Sequence, residues 1–87
     1  MAHFVYFLLC RDNTFYCGYT NNLMKRVETH NKGKGAKYTQ KRRPVKIIYF
    51  DEFATKSEAM KREYALKQLS RKEKEEIISK KPFSKTN

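Results

Sequence analysis

Acidic residues are scarce in this chain: 9 Asp and Glu stand against 20 Lys and Arg, leaving a net charge of +11 on 87 residues. Folding does not need that excess, but its field attracts polyanions such as DNA, RNA or anionic lipid. Cysteine is nearly absent. Cys10 and Cys17 are the whole complement, and no CxxC or HxxxH spacing joins them to His3 or His30. A structural zinc site, which takes about four ligands, is therefore not expected. Long hydrophobic runs are missing too: the apolar stretch from Phe4 to Cys10 is too short to span a bilayer. The opening Met-Ala-His-Phe has no basic n-region. The expected compartment is the cytoplasm, with reduced thiols and no membrane partner. There is no internal repeat and no low-complexity block. The length suits one domain, expected over residues 1–79, with a disordered polar tail over 80–87.

The apolar pattern is that of an α+β protein. Residues 3–10 are rich in aromatic and branched side chains and predict a strand. Its apolar residues populate both faces, so this strand is expected at the centre of its sheet. Arg11-Asp12-Asn13-Thr14 is a turn signal, and residues 15–20 predict the second strand of a hairpin. A helix is predicted over about 21–31, capped by Thr20 or Asn21, with Leu23, Val27 and His30 on one stripe and Arg26 beside them. Gly33 and Gly35 end it. Residues 32–46 are expected to be a loop with seven basic and no acidic residues: Lys32, Lys34, Lys37, Lys41, Arg42, Arg43 and Lys46. A third strand is predicted over 45–51. Thr55-Lys56-Ser57-Glu58 and Ser70-Arg71-Lys72-Glu73 both have the capping-box form and open two helices, over 56–69 and from 71 to near Ser79. The order ββαβαα implies a three-stranded antiparallel sheet flanked by helices.

Several residues exceed the needs of such a core. Tyr6 and Tyr16 lie on the two hairpin strands, and Arg26 and His30 are one helical turn apart on the next element. Glu63 lies at i+4 from Ala59 and i−3 from Leu66, on the stripe that should face inward, where a carboxylate is costly unless paired or bound to a metal. Each has a plainer alternative. Aromatics suit strands, an Arg–His pair can be a solvated helix edge, and Glu63 can pair with Arg62 or a lysine. The basic segment fits phosphate contact better than an ordinary loop, because it has no counter-charge.

Taken in order, these motifs resemble the GIY-YIG nuclease family. Phe4-Val5-Tyr6 and Tyr16-Cys17-Gly18-Tyr19-Thr20 look like its two signature strands. The run from Lys25 to Asn31 looks like the helix that follows, and Glu58 to Tyr64 looks like the helix carrying the family's metal-binding glutamate. The likeness spans about residues 4–69 and is greatest to small stand-alone bacterial members. It implies that Tyr6 and Tyr16 sit at the site, one assisting deprotonation of the attacking water. It implies that Arg26 faces the scissile phosphate, that His30 and Tyr38 hydrogen-bond or transfer protons, and that Glu63 holds one divalent ion, Mg²⁺ or Mn²⁺. Those roles suit the chemistry, since phosphodiester cleavage builds charge on phosphoryl oxygens that a guanidinium and a metal stabilise.

The resemblance thus implies a metal-dependent endonuclease acting as a monomer on DNA in preference to RNA, with a protein partner as a possible source of specificity. The first-signature glycine of the family is Phe4 here, and no asparagine occurs between Tyr64 and Thr86. A non-catalytic DNA- or RNA-binding module with the same fold therefore stays open as an alternative. One geometric condition is strict. A two-residue turn at Asp12-Asn13 would put Tyr6 and Tyr16 on opposite faces of the sheet. A shared cleft is expected to need an odd-length loop or a bulge that pairs Cys10 with Tyr16.

Overall fold

A computed structural model describes residues 2–80; of the tail expected over 80–87, Lys80 instead closes the last helix and residues 81–87 lie outside the described residues. Chain order is β1 (His3–Leu9), β2 (Phe15–Thr20), α1 (Leu23–Asn31), α2 (Lys37–Gln40), β3 (Lys46–Phe53), α3 (Lys56–Lys67) and α4 (Arg71–Lys80). The fold is α+β, with an antiparallel sheet in the order β2-β1-β3 and β1 at the centre. The expected element order holds, with α2 added inside the segment read as a loop. Among the described residues no helix is long and apolar enough to cross a membrane.

The hairpin connection is a three-residue loop, Arg11-Asp12-Asn13. The Cys10 N–H donates to the Thr14 carbonyl at 2.9 Å, and the Asn13 N–H donates back to the Cys10 carbonyl at 2.9 Å. Asn13 takes the left-handed conformation (φ +69°) that such a loop requires, and asparagine tolerates it. The Asp12 carboxylate accepts from the Thr14 hydroxyl at 2.6 Å and from Arg42 at 3.0 Å. The loop is thus odd in length, as a shared cleft requires, but the partner differs from the expected one. Tyr16 pairs with Leu8, not with Cys10, and Tyr6 pairs with Gly18. The parity is the same, so Tyr6 and Tyr16 share a face.

The alternation along β1 sorts the core into two layers. Val5 and Phe7 face one side and pack with Cys17, Tyr49, and Ala59 and Leu66 of α3. Tyr6 and Leu8 face the other and pack with Cys10, Val45, and Leu23 and Val27 of α1. Burial of each such aliphatic or aromatic side chain stabilises the fold by about 1.5–3 kcal/mol. Opposite Phe7 and Leu8, strand β3 has an irregularity: Phe7 pairs with Tyr49 and Leu8 with Ile47. The extra residue, Ile48, joins Tyr49 on the α3 side.

Caps set the helix limits. Asn22, rather than Thr20 or Asn21, caps α1, accepting from the Lys25 N–H at 3.1 Å. Thr20 is unavailable because its hydroxyl is bonded to the Asn22 backbone. Gly33, at φ +80°, ends α1. Thr55 caps α3. Ser70 and Glu73 form a reciprocal capping box at the start of α4, with bonds of 3.2 and 2.9 Å. Arg71 then lies 3.9 Å from the Phe15 ring and donates to the Asn13 carbonyl at 2.6 Å, tying α4 to the hairpin loop.

The last turn of α1 is fastened to the sheet by one amide. Asn31 accepts from the Val45 N–H at 2.7 Å and donates to the Val45 carbonyl at 3.0 Å, as a paired strand residue would. Val45 is buried, so Asn31→Ala leaves both backbone groups without this partner. Urea unfolding of that variant should show a loss of about 1–3 kcal/mol, the cost of unsatisfied buried polar groups. An unchanged midpoint would mean that this clasp contributes nothing.

Candidate active site

The site is built on Gly18. This residue faces Tyr6 across the hairpin, and a Cβ there would stand 2.5 Å from the Tyr6 oxygen and 2.7 Å from Cζ. Only glycine lets the enclosed Tyr6 ring lie across β2. Its oxygen then meets His30 Nε2 at 3.2 Å. Gly35 does the same service for the histidine, since a Cβ there would stand 2.7 Å from His30 Cγ. On its far side His30 Nδ1 lies 2.8 Å from the hydroxyl oxygen of Thr39, a fully buried residue of α2.

Tyr16 completes an aromatic group. Its ring centroid lies 6.5 Å from that of Tyr6 and 5.2 Å from that of His30. Tyr38 stacks on Tyr16 at 6.0 Å, and the Arg42 guanidinium lies 4.0 Å from the Tyr38 ring. Access differs sharply within the group. Tyr6 and His30 are 0 % exposed, Tyr16 is half-buried, and Tyr38 is 39 % exposed. Tyr16 and Tyr38 therefore present the surface, and Tyr6 and His30 lie beneath it.

Burial governs the protonation of the two enclosed groups. The Tyr6 hydroxyl is pushed up to about 12, chiefly by desolvation, with the adjacent Arg26 guanidinium offsetting part of the rise. His30 is pushed down to about 4, first by desolvation and second by the charge of Arg26. At neutral pH both are uncharged. Arg26 supplies the positive charge of the group, and its Nε is enclosed without a hydrogen-bond partner among the described residues. A donor enclosed to this degree is not itself reachable from outside, so a phosphoryl oxygen would meet the rest of this half-buried side chain.

Tyr6, Tyr16, Arg26, His30 and Tyr38 are thus brought together, whereas Glu63 approaches from the other side of the sheet. It belongs to α3, its side chain is 14 % exposed, and it pairs with Lys67 at 3.2 Å. Its charge reaches Cys17, next to Gly18 on β2, whose thiol stands at about 11 through burial first and Glu63 second. Arg62, a candidate partner for Glu63, instead pairs with Asp51 at 3.2 Å. No group of three or more His, Cys, Asp or Glu suited to a metal occurs among the described residues. This donor set does not suit a protein-caged ion. It does suit Mg²⁺ or Mn²⁺ held by one carboxylate, with water and substrate phosphate as the remaining ligands.

The basic segment divides in two. Lys32, Lys34, Lys37, Lys41 and Lys46 are exposed. Arg42 is engaged by Asp12 and the Tyr38 carbonyl, and Arg43 by the carbonyls of Gln40 and Asn31. The two arginines thus also fasten the segment in place. Thr39, Gly18 and Gly35 are the site residues that sequence reasoning passed over. Of the three, Gly18 alone carried a signal, since it breaks a run of strand-forming side chains.

Comparison with known proteins bears on the chain as a whole. A family model described as the GIY-YIG catalytic domain matches residues 2–76. The UPF0213 protein YazA of Bacillus subtilis is 58 % identical over 83 residues, covering 95 % of this chain and 84 % of that protein. A UPF0213 protein of Clostridium perfringens is 49 % identical over 85 residues, covering 98 % and 91 %. The solution structure of a UPF0213 protein from Bacillus halodurans superposes with a TM-score of 0.64 at 44 % identity, covering 97 % of this chain and 89 % of that one.

The depressed His30 value has a thermodynamic signature. Between pH 6.5 and 4 the unfolded histidine takes up a proton that the folded one refuses, so stability is full above 6.5 and lost as pH falls towards 4. From pH 6.5 to 5 the loss should be about 2 kcal/mol, at 1.36 kcal/mol per pH unit. Denaturant unfolding at several pH values checks it. A His30→Gln variant with the same pH slope as the wild type would remove His30 as the cause.

Proposed function

Because the chain belongs to the GIY-YIG family, we propose that it is a divalent-metal-dependent endonuclease that hydrolyses phosphodiester bonds in nucleic acid, with DNA the preferred substrate. The observation that carries this is the half-buried Arg26 guanidinium beside Tyr6, Tyr16 and His30, with an enclosed Nε that no described residue satisfies. Binding to phosphates needs only exposed lysines and arginines, whereas a guanidinium held among neutral phenols and an imidazole is placed to stabilise charge as it forms.

In this reaction Arg26 hydrogen-bonds a phosphoryl oxygen. Tyr16, the accessible member of the signature pair, orients the attacking water and accepts its hydrogen bond. Tyr6 and His30 do not touch the substrate: they hold Arg26 and Tyr16 from below. Tyr38 borders the site, and the exposed lysines from Lys32 to Lys46 bind the flanking backbone. Glu63 is the carboxylate that would hold Mg²⁺ or Mn²⁺, which supplies Lewis-acid stabilisation of the phosphoryl charge. A second role is favoured by one contact. The Glu63–Lys67 pair satisfies the carboxylate without any metal, as a non-catalytic DNA- or RNA-binding module would require.

Glu63→Gln separates the two. Lewis-acid stabilisation is worth several kcal/mol and each decade of rate about 1.4 kcal/mol, so Mg²⁺-dependent cleavage should fall by orders of magnitude. Binding should persist, and stability should fall by no more than about 1 kcal/mol, because Gln keeps the size and its amide oxygen can still accept from the half-exposed Lys67. Cleavage assays, a binding titration and thermal melting on one preparation measure all three. A wild type that binds nucleic acid but cleaves no single-stranded, duplex or branched substrate with either metal would leave the binding module as the function.

A further inference from the structure

We propose that Thr39 is a positioning residue for this reaction: it holds the His30 proton on Nδ1, so that Nε2 takes the Tyr6 hydrogen bond and the Tyr6 oxygen is left to orient Arg26. The inference rests on the nuclease function proposed above.

The directions of the bonds follow from counting protons. The Ala36 carbonyl lies 2.9 Å from the Thr39 hydroxyl oxygen, and a carbonyl only accepts. The Thr39 hydroxyl must donate there, which uses its one proton. Its contact with His30 Nδ1 at 2.8 Å then takes its hydrogen from the imidazole. Neutral imidazole carries one N–H, so Nε2 presents a lone pair, and the 3.2 Å contact with Tyr6 takes its hydrogen from the phenol. The reverse order fails at both ends. It sets two oxygen lone pairs face to face at Ala36, and it turns the Tyr6 proton towards the Arg26 guanidinium, which has no acceptor. The chain therefore runs Tyr6 to His30 to Thr39 to Ala36.

The groups facing His30 are Tyr6 from β1, Tyr16 from β2 and Arg26 from its own helix, with Thr39 from α2. Arg26 is the sole formal charge among them, and its effect is to keep the ring neutral, as the chain requires. Gly35 leaves no space for a side chain against the ring. With its proton committed to His30, the Tyr6 oxygen offers its lone pairs to the Arg26 guanidinium and so orients it. Thr39 thus acts on the reacting centre through three intermediaries.

Ring ¹⁵N shifts of His30, measured by NMR at pH 7 on the metal-free full chain, identify the protonated nitrogen without any cleavage. The wild type should carry the proton on Nδ1. Thr39→Val should shift the population towards Nε2–H and lower kcat by roughly tenfold, the lower end of losses when an orienting partner of a functional histidine is removed. KM should stay within about twofold, because the lysines still bind the backbone. Thr39→Ser keeps the hydroxyl and should restore both the tautomer and kcat, a rescue that loss of packing alone would not give. An active wild type with His30 protonated on Nε2, or a Thr39→Val protein with wild-type tautomer and kcat, overturns the role of Thr39 and leaves the nuclease assignment standing. A wild type that cleaves nothing overturns both.

Discussion

The site depends on one constraint, the odd length of the β1–β2 loop. With three residues in the loop, Tyr16 pairs with Leu8 and therefore projects to the same face as Tyr6. One residue fewer would send every β2 side chain to the opposite side. Cys17 would then turn towards α1, Tyr16 towards α3, and the ring would lose both His30 and Tyr38. The loop is held by backbone bonds at Cys10, by a left-handed Asn13 and by the Asp12 carboxylate. Two remote elements reinforce it: Arg42 reaches Asp12, and Arg71 reaches the Asn13 carbonyl. The segment that follows α1 and the start of α4 both converge on the turn that sets the register.

From that register follows a division of labour by depth. Glycine at 18 admits the Tyr6 ring, and glycine at 35 admits His30. Both are enclosed, and both are neutral at pH 7 because burial disfavours their charged forms. Above them Tyr16 and Tyr38 meet solvent. Arg26 spans the two levels, with an enclosed Nε and a charge that acts on both Tyr6 and His30. Among the described residues no carboxylate forms an ion pair with Arg26, so its charge is not answered locally. Glu63, paired with Lys67, stands on the α3 side of β2, opposite the face that holds the arginine.

Much of this was legible in the chain itself. Runs rich in aromatic and branched residues mark β1, β2 and β3, and Thr55-Lys56-Ser57-Glu58 and Ser70-Arg71-Lys72-Glu73 mark two helix starts. The five side chains Tyr6, Tyr16, Arg26, His30 and Tyr38 were identified by resemblance, and the structure gathers them. Four things were hidden. Register depends on loop conformation, so the Leu8–Tyr16 pair could not be told from a Cys10–Tyr16 pair with the same parity. Helix α2 has four residues and lies in a run of lysines and arginines, where no apolar period announces it. Depth was invisible as well: Tyr6 and Tyr16 look alike in the sequence, and only Gly18 opposite Tyr6 separates the buried ring from the accessible one. Arg42 and Arg43 read as free cations until Asp12 and the carbonyls of Tyr38, Gln40 and Asn31 come within reach.

The proposed cleavage requires Arg26 to receive the scissile phosphate. The most direct measurement is single-turnover cleavage of a DNA substrate with Mg²⁺, comparing wild type with Arg26→Lys. Lysine keeps the charge but loses the planar fork and the Nε donor. A rate lower by about 10²–10³ is expected, as when one donor to developing charge is removed, with DNA affinity nearly unchanged. Cleavage by Arg26→Lys at the wild-type rate would contradict it.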